Sequence, residues 1–201
     1  MQPPPVRRHE SQGLLPALRL ALVCLLMLLA RAAPAQGVEL ASLRASRAEG
    51  ALDLEFNARV SLPRTVEDAL RRGVPLYFVA DAELFRKRWY WRDERVSHIS
   101  RSWRVAYQPL TGNWRVGLGG LNQTYATLNE ALTSASRSAS WKLADLAQLD
   151  ADKNYYIEFS YRLDTSQLPG PMQFGLNGFT GQGDWAVGVS RVIKVDLGAT
   201  P

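Results

Sequence analysis

"LDLEFNARVSL", residues 52–62, alternates apolar and polar side chains without a break. Leu52, Leu54, Phe56, Ala58, Val60 and Leu62 share one parity, and Asp53, Glu55, Asn57, Arg59 and Ser61 share the other. Successive side chains of an extended chain point to opposite faces. This stretch therefore predicts a strand with one face in a core and one in water. The pattern recurs in "YYIEFSYRLD" (155–164), where Tyr155, Ile157, Phe159, Tyr161 and Leu163 share a parity. It recurs again in "VPLYFVADAELF" (74–85), with Leu76, Phe78, Ala80, Ala82 and Leu84 inward. "ISRSWRVAYQ" (99–108) predicts a further strand, the turn residues "PLTGN" (109–113) reverse the chain, and "WRVGLGGL" (114–121) returns. "WAVGVSRVIKV" (185–195) is the last strand, and "VELASLRAS" (38–46) is a weaker first one, hairpinned to the opening stretch through Ala48-Glu49-Gly50.

Two short helices interrupt the strands. In "PRTVEDALRRG" (63–73), Thr65 and Asp68 suggest a capping box, Val66, Ala69 and Leu70 form an apolar stripe, and Arg71, Arg72 and Gly73 close the end. In "TLNEALTSASR" (127–137), Thr127 and Glu130 make a second capping box ahead of Leu128, Ala131 and Leu132. The Pro/Gly-rich stretch 168–184 predicts a surface loop around a short strand at 172–176. Seven or eight strands with two short connecting helices describe an all-β chain, a β-sandwich of immunoglobulin-like size.

The first 35 residues read differently. Arg7, Arg8 and Arg19 precede the apolar run "LALVCLLMLLA" (20–30), and Ala33-Pro34-Ala35 presents small residues at a cleavage site. This is the layout of a secretory signal peptide cut before Gln36, which leaves 36–201 as a single domain in the periplasm. The alternative is an uncleaved leader that anchors the chain to the inner membrane; a comfortable span needs about 20 apolar residues. Cys24 lies within the leader, so residues 36–201 hold no cysteine and no disulfide. Four of the 24 basic and one of the 19 acidic residues also lie in the leader, leaving 20 against 18 and a net +2. A balance so close to neutral removes the main support for a nucleic-acid partner.

The same region carries little catalytic equipment. His98 is its one histidine and reads as an ordinary turn or surface residue. No His/Cys metal site and no cysteine nucleophile can be assembled, and no G-x-S-x-G elbow is present. Asp150-Ala151-Asp152-Lys153-Asn154 opens like a calcium loop, but Tyr155 and Tyr161 stand at the sixth and twelfth positions, so it reads as a polar turn. The glycines at 175, 178, 181 and 183 do not make a phosphate cradle. Neither a catalytic residue, nor a metal, nor a cofactor is implied. Asp81, Glu83, Asp93 and Glu94 lie close enough in sequence to keep open a cell-wall glycan hydrolase built on paired carboxylates.

Charge concentrates in one place. "FRKRWYWRDERV" (85–96) opens a segment, 85–104, with seven basic residues against two acids, so the remainder of 36–201 is net −3. Read as a strand, Phe85, Trp89 and Trp91 turn inward while Arg86, Arg88, Tyr90 and Arg92 form an outer basic face. The phase slip at Phe85 signals a β-bulge or a strand crossing between sheets. The outer face is a solvated sheet surface whose arginine stems cover apolar area, or a row of donors about 7 Å apart that binds phosphates or carboxylates.

"LPRTVEDALRRGVPLYFVADAELFRKRWYW", "RVAYQPLTGNWRV", "ATLNEAL", "YYIEFSYRLDTSQLPGPMQ" and the late "GDW" resemble an uncharacterised family of exported proteobacterial proteins, domain of unknown function 4390, over most of 37–197. The glycine-rich stretch 175–183 is an addition to that pattern. The resemblance implies no activity; it implies an envelope protein accessory to a membrane sensor kinase. The expectation is a non-enzymatic periplasmic binding or accessory protein that meets an envelope protein, an anionic envelope component or a membrane surface through Arg86, Arg88, Tyr90 and Arg92. A purely structural, membrane-anchored module and the glycan hydrolase are the alternatives.

Overall fold

The computed structural model describes residues 37–168 and 185–197, and within them nine strands and two α-helices. The opening stretch is β2 (Ala51–Ser61), paired antiparallel with β1 (Gly37–Ala48). Glu49 and Gly50 both take positive φ, as a two-residue hairpin turn requires. β2 also pairs with β7 (Arg137–Asp145), completing a three-stranded sheet in the order β1-β2-β7. A second sheet has six strands in the order β6-β5-β4-β3-β8-β9. It comprises β3 (Leu76–Arg86), β4 (Glu94–Gln108), β5 (Asn113–Leu118), β6 (Leu121–Tyr125), β8 (Tyr155–Leu163) and β9 (Gly188–Val195), all paired antiparallel.

The two sheets bury their apolar parities against each other. Leu52, Leu54, Phe56 and Ala58 from β2 meet Leu76, Phe78, Ala80, Ala82 and Leu84 from β3 and Ile157, Phe159, Tyr161 and Leu163 from β8 in one cluster. Phe56 is its hub, with rings of Phe159, Tyr161, Trp103 and Trp141 at 4.9, 5.6, 5.9 and 6.3 Å. The architecture is a sandwich of three and six strands, a partition different from the four and three of an immunoglobulin constant domain.

β5 and β6 extend past the smaller sheet, and α2 (Leu128–Ala135) packs against them. Its capping box is formed: Thr127 Oγ1 accepts from the Glu130 N–H and Glu130 accepts from the Thr127 N–H, both at 3.2 Å. At its other end the buried Tyr161 hydroxyl donates to the Ala135 carbonyl at 3.0 Å, satisfying one of the acceptors a helix C-terminus leaves open. The first helix, α1 (Arg64–Arg71), buries the expected Val66, Ala69 and Leu70. Its N-cap is Pro63 rather than Thr65, so the expected Thr65/Asp68 capping box does not form; a Glu67–Arg71 ion pair at 2.7 Å braces it instead.

Two strands escape the sequence reading. β6, "LNQTY", is exposed along nearly its whole length and shows no apolar parity. β7 hides its pattern in a bulge: Ser138 and Trp141 are both buried although three residues apart, and Ser140 between them has φ +48°. The expected strand at 172–176 and the glycine-rich loop 175–183 lie outside the described residues.

The ends of the sandwich are distinct. The β3–β4 turn, the β1–β2 turn and the end of β9 share one pole: Arg47 donates to the Leu197 carbonyl at 2.7 Å, and Ser97 of β4 donates to the Leu143 carbonyl of β7. β1 begins, at Gly37, at the opposite pole.

Candidate functional site

The segment 85–96 is not one strand. β3 ends at Arg86, β4 starts at Glu94, and residues 87–93 form the tip of a hairpin. The inward assignment of Trp89 and Trp91 is therefore overturned: they are 93% and 73% exposed, with Tyr90 between them at 67%. Three consecutive bulky aromatics have no period of two, and that break in alternation was the available sign of a turn. β3 keeps its parity to its last residue. Phe85 faces outward and stacks on Tyr156 at 5.3 Å, while Arg86 shares the inward parity of Leu84 at the rim. The phase slip belongs to β4, where Leu84 pairs with Ser97 but Phe85 with Arg95, leaving Val96 as the extra residue of a bulge.

The four site residues split into two pairs. Arg86 and Arg88 turn back into the base of the hairpin, and both donate to Glu94 Oε2. Arg86 also reaches Asp150 at 3.3 Å. Tyr90 and Arg92 remain on the exposed tip, where Arg92 has no side-chain partner among the described residues. The even row of three free arginine forks is thus replaced by two arginines that fasten the hairpin and one that is presented. Asp93 completes the fastening: it accepts from the Arg88 N–H at 3.0 Å and from the Tyr156 hydroxyl at 2.9 Å. The Lys87 N–H donates to the Asn154 carbonyl at 2.9 Å, tying the tip to the turn before β8.

These contacts set the electrostatics. Hydrogen bonds from Arg86 and Arg88 hold the Glu94 carboxyl below its usual range. The Arg88 N–H and the Tyr156 hydroxyl do the same for Asp93. Burial, and then the Asp93 carboxylate, push the Tyr156 phenol up to about 12. A glycosidase general acid needs the opposite shift, a carboxyl raised toward neutrality. Asp81 and Glu83 lie elsewhere, on the outer face of the larger sheet. Asp81 faces Arg162 at 3.4 Å and His98 at 3.6 Å, and Glu83 accepts from Arg95 at 2.8 Å. The four carboxylates that suggested a hydrolase therefore form two separate pairs, each occupied by neighbouring donors.

Two clefts lie near these features. One, of about 680 Å³, backs the tip and is lined by Lys87, Arg88, Trp89, Tyr90 and Lys153, with Asp152 as the acid on its wall. Lys87 and Lys153 could not be singled out from sequence, because only the β3–β8 pairing brings 153 beside 87. The other, of about 540 Å³, opens between the sheets beside α2 over Phe56, Trp103, Val116 and Leu118. Residues 150–154 form the polar turn expected of them. Among the described residues no helix is long and apolar enough to cross a membrane, and no cluster of three or more His, Cys, Asp or Glu side chains is placed to hold a metal.

Comparison with known proteins places this fold in a family. No curated protein and no solved structure matches the chain. The family model described as "Domain of unknown function (DUF4390)" matches residues 35–192. Its match spans all but the last strand residues of both sheets and includes the whole aromatic hairpin, and the chain belongs to this family.

Proposed function

We propose that this chain is a non-enzymatic binding or accessory protein of the cell envelope, working in the periplasm after its leader is cut, and that it meets its partner through the β3–β4 hairpin. The observation that carries this reading is the exposure of Trp89, Tyr90 and Trp91 side by side on a fastened base. Single exposed apolar residues are ordinary, but a contiguous group marks an interaction surface. The base matters as much as the tip. With Glu94 holding two arginines and Asp93 holding a backbone N–H, the loop is ordered before it docks, so docking costs less conformational entropy.

In this reading Tyr90 and Arg92 contact the partner, and Arg86 and Arg88 are positioning residues. The partner is an anionic envelope component or an envelope protein. The family resemblance suggests a membrane sensor kinase as the protein candidate, and the leader supports the compartment.

The test is in-cell photo-crosslinking from position 90 with mass spectrometry of the captured species. We expect one envelope component to be recovered repeatedly, and to be lost when Trp89→Ala and Trp91→Ala are combined. Undiminished capture by that variant, folded and exported, removes the hairpin as the docking site.

A further inference from the structure

We infer that the surface this hairpin docks on is an anionic lipid bilayer, with Trp89, Tyr90 and Trp91 seated at the headgroup boundary and Lys87, Arg92 and Lys153 facing lipid phosphates. The inference rests on the docking reading above and names its partner.

Shape is the first argument. The tip, residues 87–93, is convex and projects beyond the ends of β3 and β4. Its three aromatics are consecutive, so they splay instead of forming one flat face, and Trp89 meets Tyr90 edge-on at 5.0 Å. The tip is a single turn of seven residues between the two strands. A bilayer interface asks only for shallow burial of a few amphipathic side chains.

Chemistry is the second. Tryptophan and tyrosine concentrate at membrane–water interfaces because an apolar ring carries one polar group. None of the three polar groups here has a hydrogen-bond partner among the described residues. Around them stand cations left over once the base is fastened: the side chains of Lys87, Arg92 and Lys153 have no ion-pair partner among the described residues. The cleft behind the tip is wide enough for a headgroup, and Lys87, Arg88 and Lys153 line it against the single acid Asp152.

Charge polarity is the third. Segment 85–104 is net +5 while the rest of 36–201 is net −3. Within that segment the tip, 87–93, holds Lys87, Arg88 and Arg92 against Asp93, so a negatively charged surface attracts the tip.

The test is quenching of tryptophan fluorescence by lipids brominated near the headgroup, in vesicles of phosphatidylglycerol and phosphatidylethanolamine, using the full chain. All six tryptophans lie between 89 and 185 and none in the leader, so quenching does not report leader insertion. Trp103, Trp114 and Trp141 are buried and Trp185 is half-buried against the core, which leaves Trp89 and Trp91 as the exposed reporters. We expect quenching on anionic vesicles, little on pure phosphatidylcholine, and its loss in Trp89→Phe/Trp91→Phe. Lys87→Ser and Arg92→Ser should each weaken partitioning about fivefold. No quenching on anionic vesicles, or equal quenching in the double phenylalanine variant, overturns the inference. If crosslinking at position 90 then still returns an envelope protein, the docking reading stands with a different partner; if it returns nothing, both fall.

Discussion

Replacing Tyr161 with phenylalanine removes one oxygen atom from the centre of the sandwich and should unpin α2. The ring stays where it is, stacked on Phe78 at 5.7 Å and beside Phe56 at 5.6 Å, so packing is unchanged. What disappears is the 3.0 Å hydrogen bond to the Ala135 carbonyl, between two residues that are fully buried from bulk solvent. Leaving a buried acceptor unpaired costs about 1–3 kcal/mol, offset in part by the removed hydroxyl no longer needing its own partner. A net loss of about 2 kcal/mol lowers Tm by roughly 4–8 °C in a chain of this size. Equilibrium urea unfolding with an unchanged m-value measures it, and amide exchange in the last turn of α2 locates it. A loss below about 0.5 kcal/mol, with α2 protection intact, would refute the claim that this hydroxyl holds the helix to the sheet.

The hub ring gives a larger effect: Phe56→Ala, at a site 1% exposed among four aromatics, should cost about 3–5 kcal/mol by chemical denaturation. Trp89→Ala or Trp91→Ala should change stability by less than about 0.5 kcal/mol, so any loss of docking in these variants is a loss of contact; a marked drop in Tm would mean that the tip is packed. Gly188→Ala should loosen β9, because a Cβ there would meet the Arg162 Cβ at 2.9 Å and the Tyr161 carbonyl at 3.2 Å; unaltered exchange along β9 would contradict that crowding. Asp93 and Glu94 have depressed folded values, so their contribution is complete above the ordinary carboxylate range near pH 4 and fades as pH falls through the lower folded values. Protection of the Arg88 amide against exchange should therefore stay constant between about pH 5 and 8 and be lost in acid. Tyr156 runs the other way: its ultraviolet titration should centre at about 12 and fall in Asp93→Asn, though only part of the way to the ordinary phenol value, because burial, the larger cause, remains.

The sandwich was readable where one face is buried and the other wet. β2, β3 and β8 have the parity assigned from Leu52, Leu76 and Tyr155 onward because the second sheet covers only one side of each. β6 is wet on both sides and leaves no parity to read, and β7 changes phase at Ser140, where the chain bulges to follow the twist of β2. Counting seven or eight strands instead of nine follows from these two. The α2 cap was legible because Thr127 and Glu130 need only each other. At α1, Pro63 takes the cap position and pre-empts Thr65.

The site was legible in composition and not in geometry. Clustered arginines beside aromatics singled out the segment that forms the exposed hairpin, but alternation was extended through Trp89-Tyr90-Trp91, where it fails. Whether Arg86 is free or engaged depends on Glu94, eight residues on, and Asp150, sixty-four on. Lys153 enters only through tertiary pairing. Distances of that kind are set by the hairpin register, which a single strand's pattern does not contain.

The length of β1 gives the sandwich two well-separated ends. The strand starts at Gly37 and runs twelve residues, about 40 Å at 3.4 Å each, toward the pole that carries the tryptophans. Gly37 thus marks the heel of the domain and Trp89 its toe. One reporter fixed at each would read which end of the domain a surface meets, without disturbing the core between them.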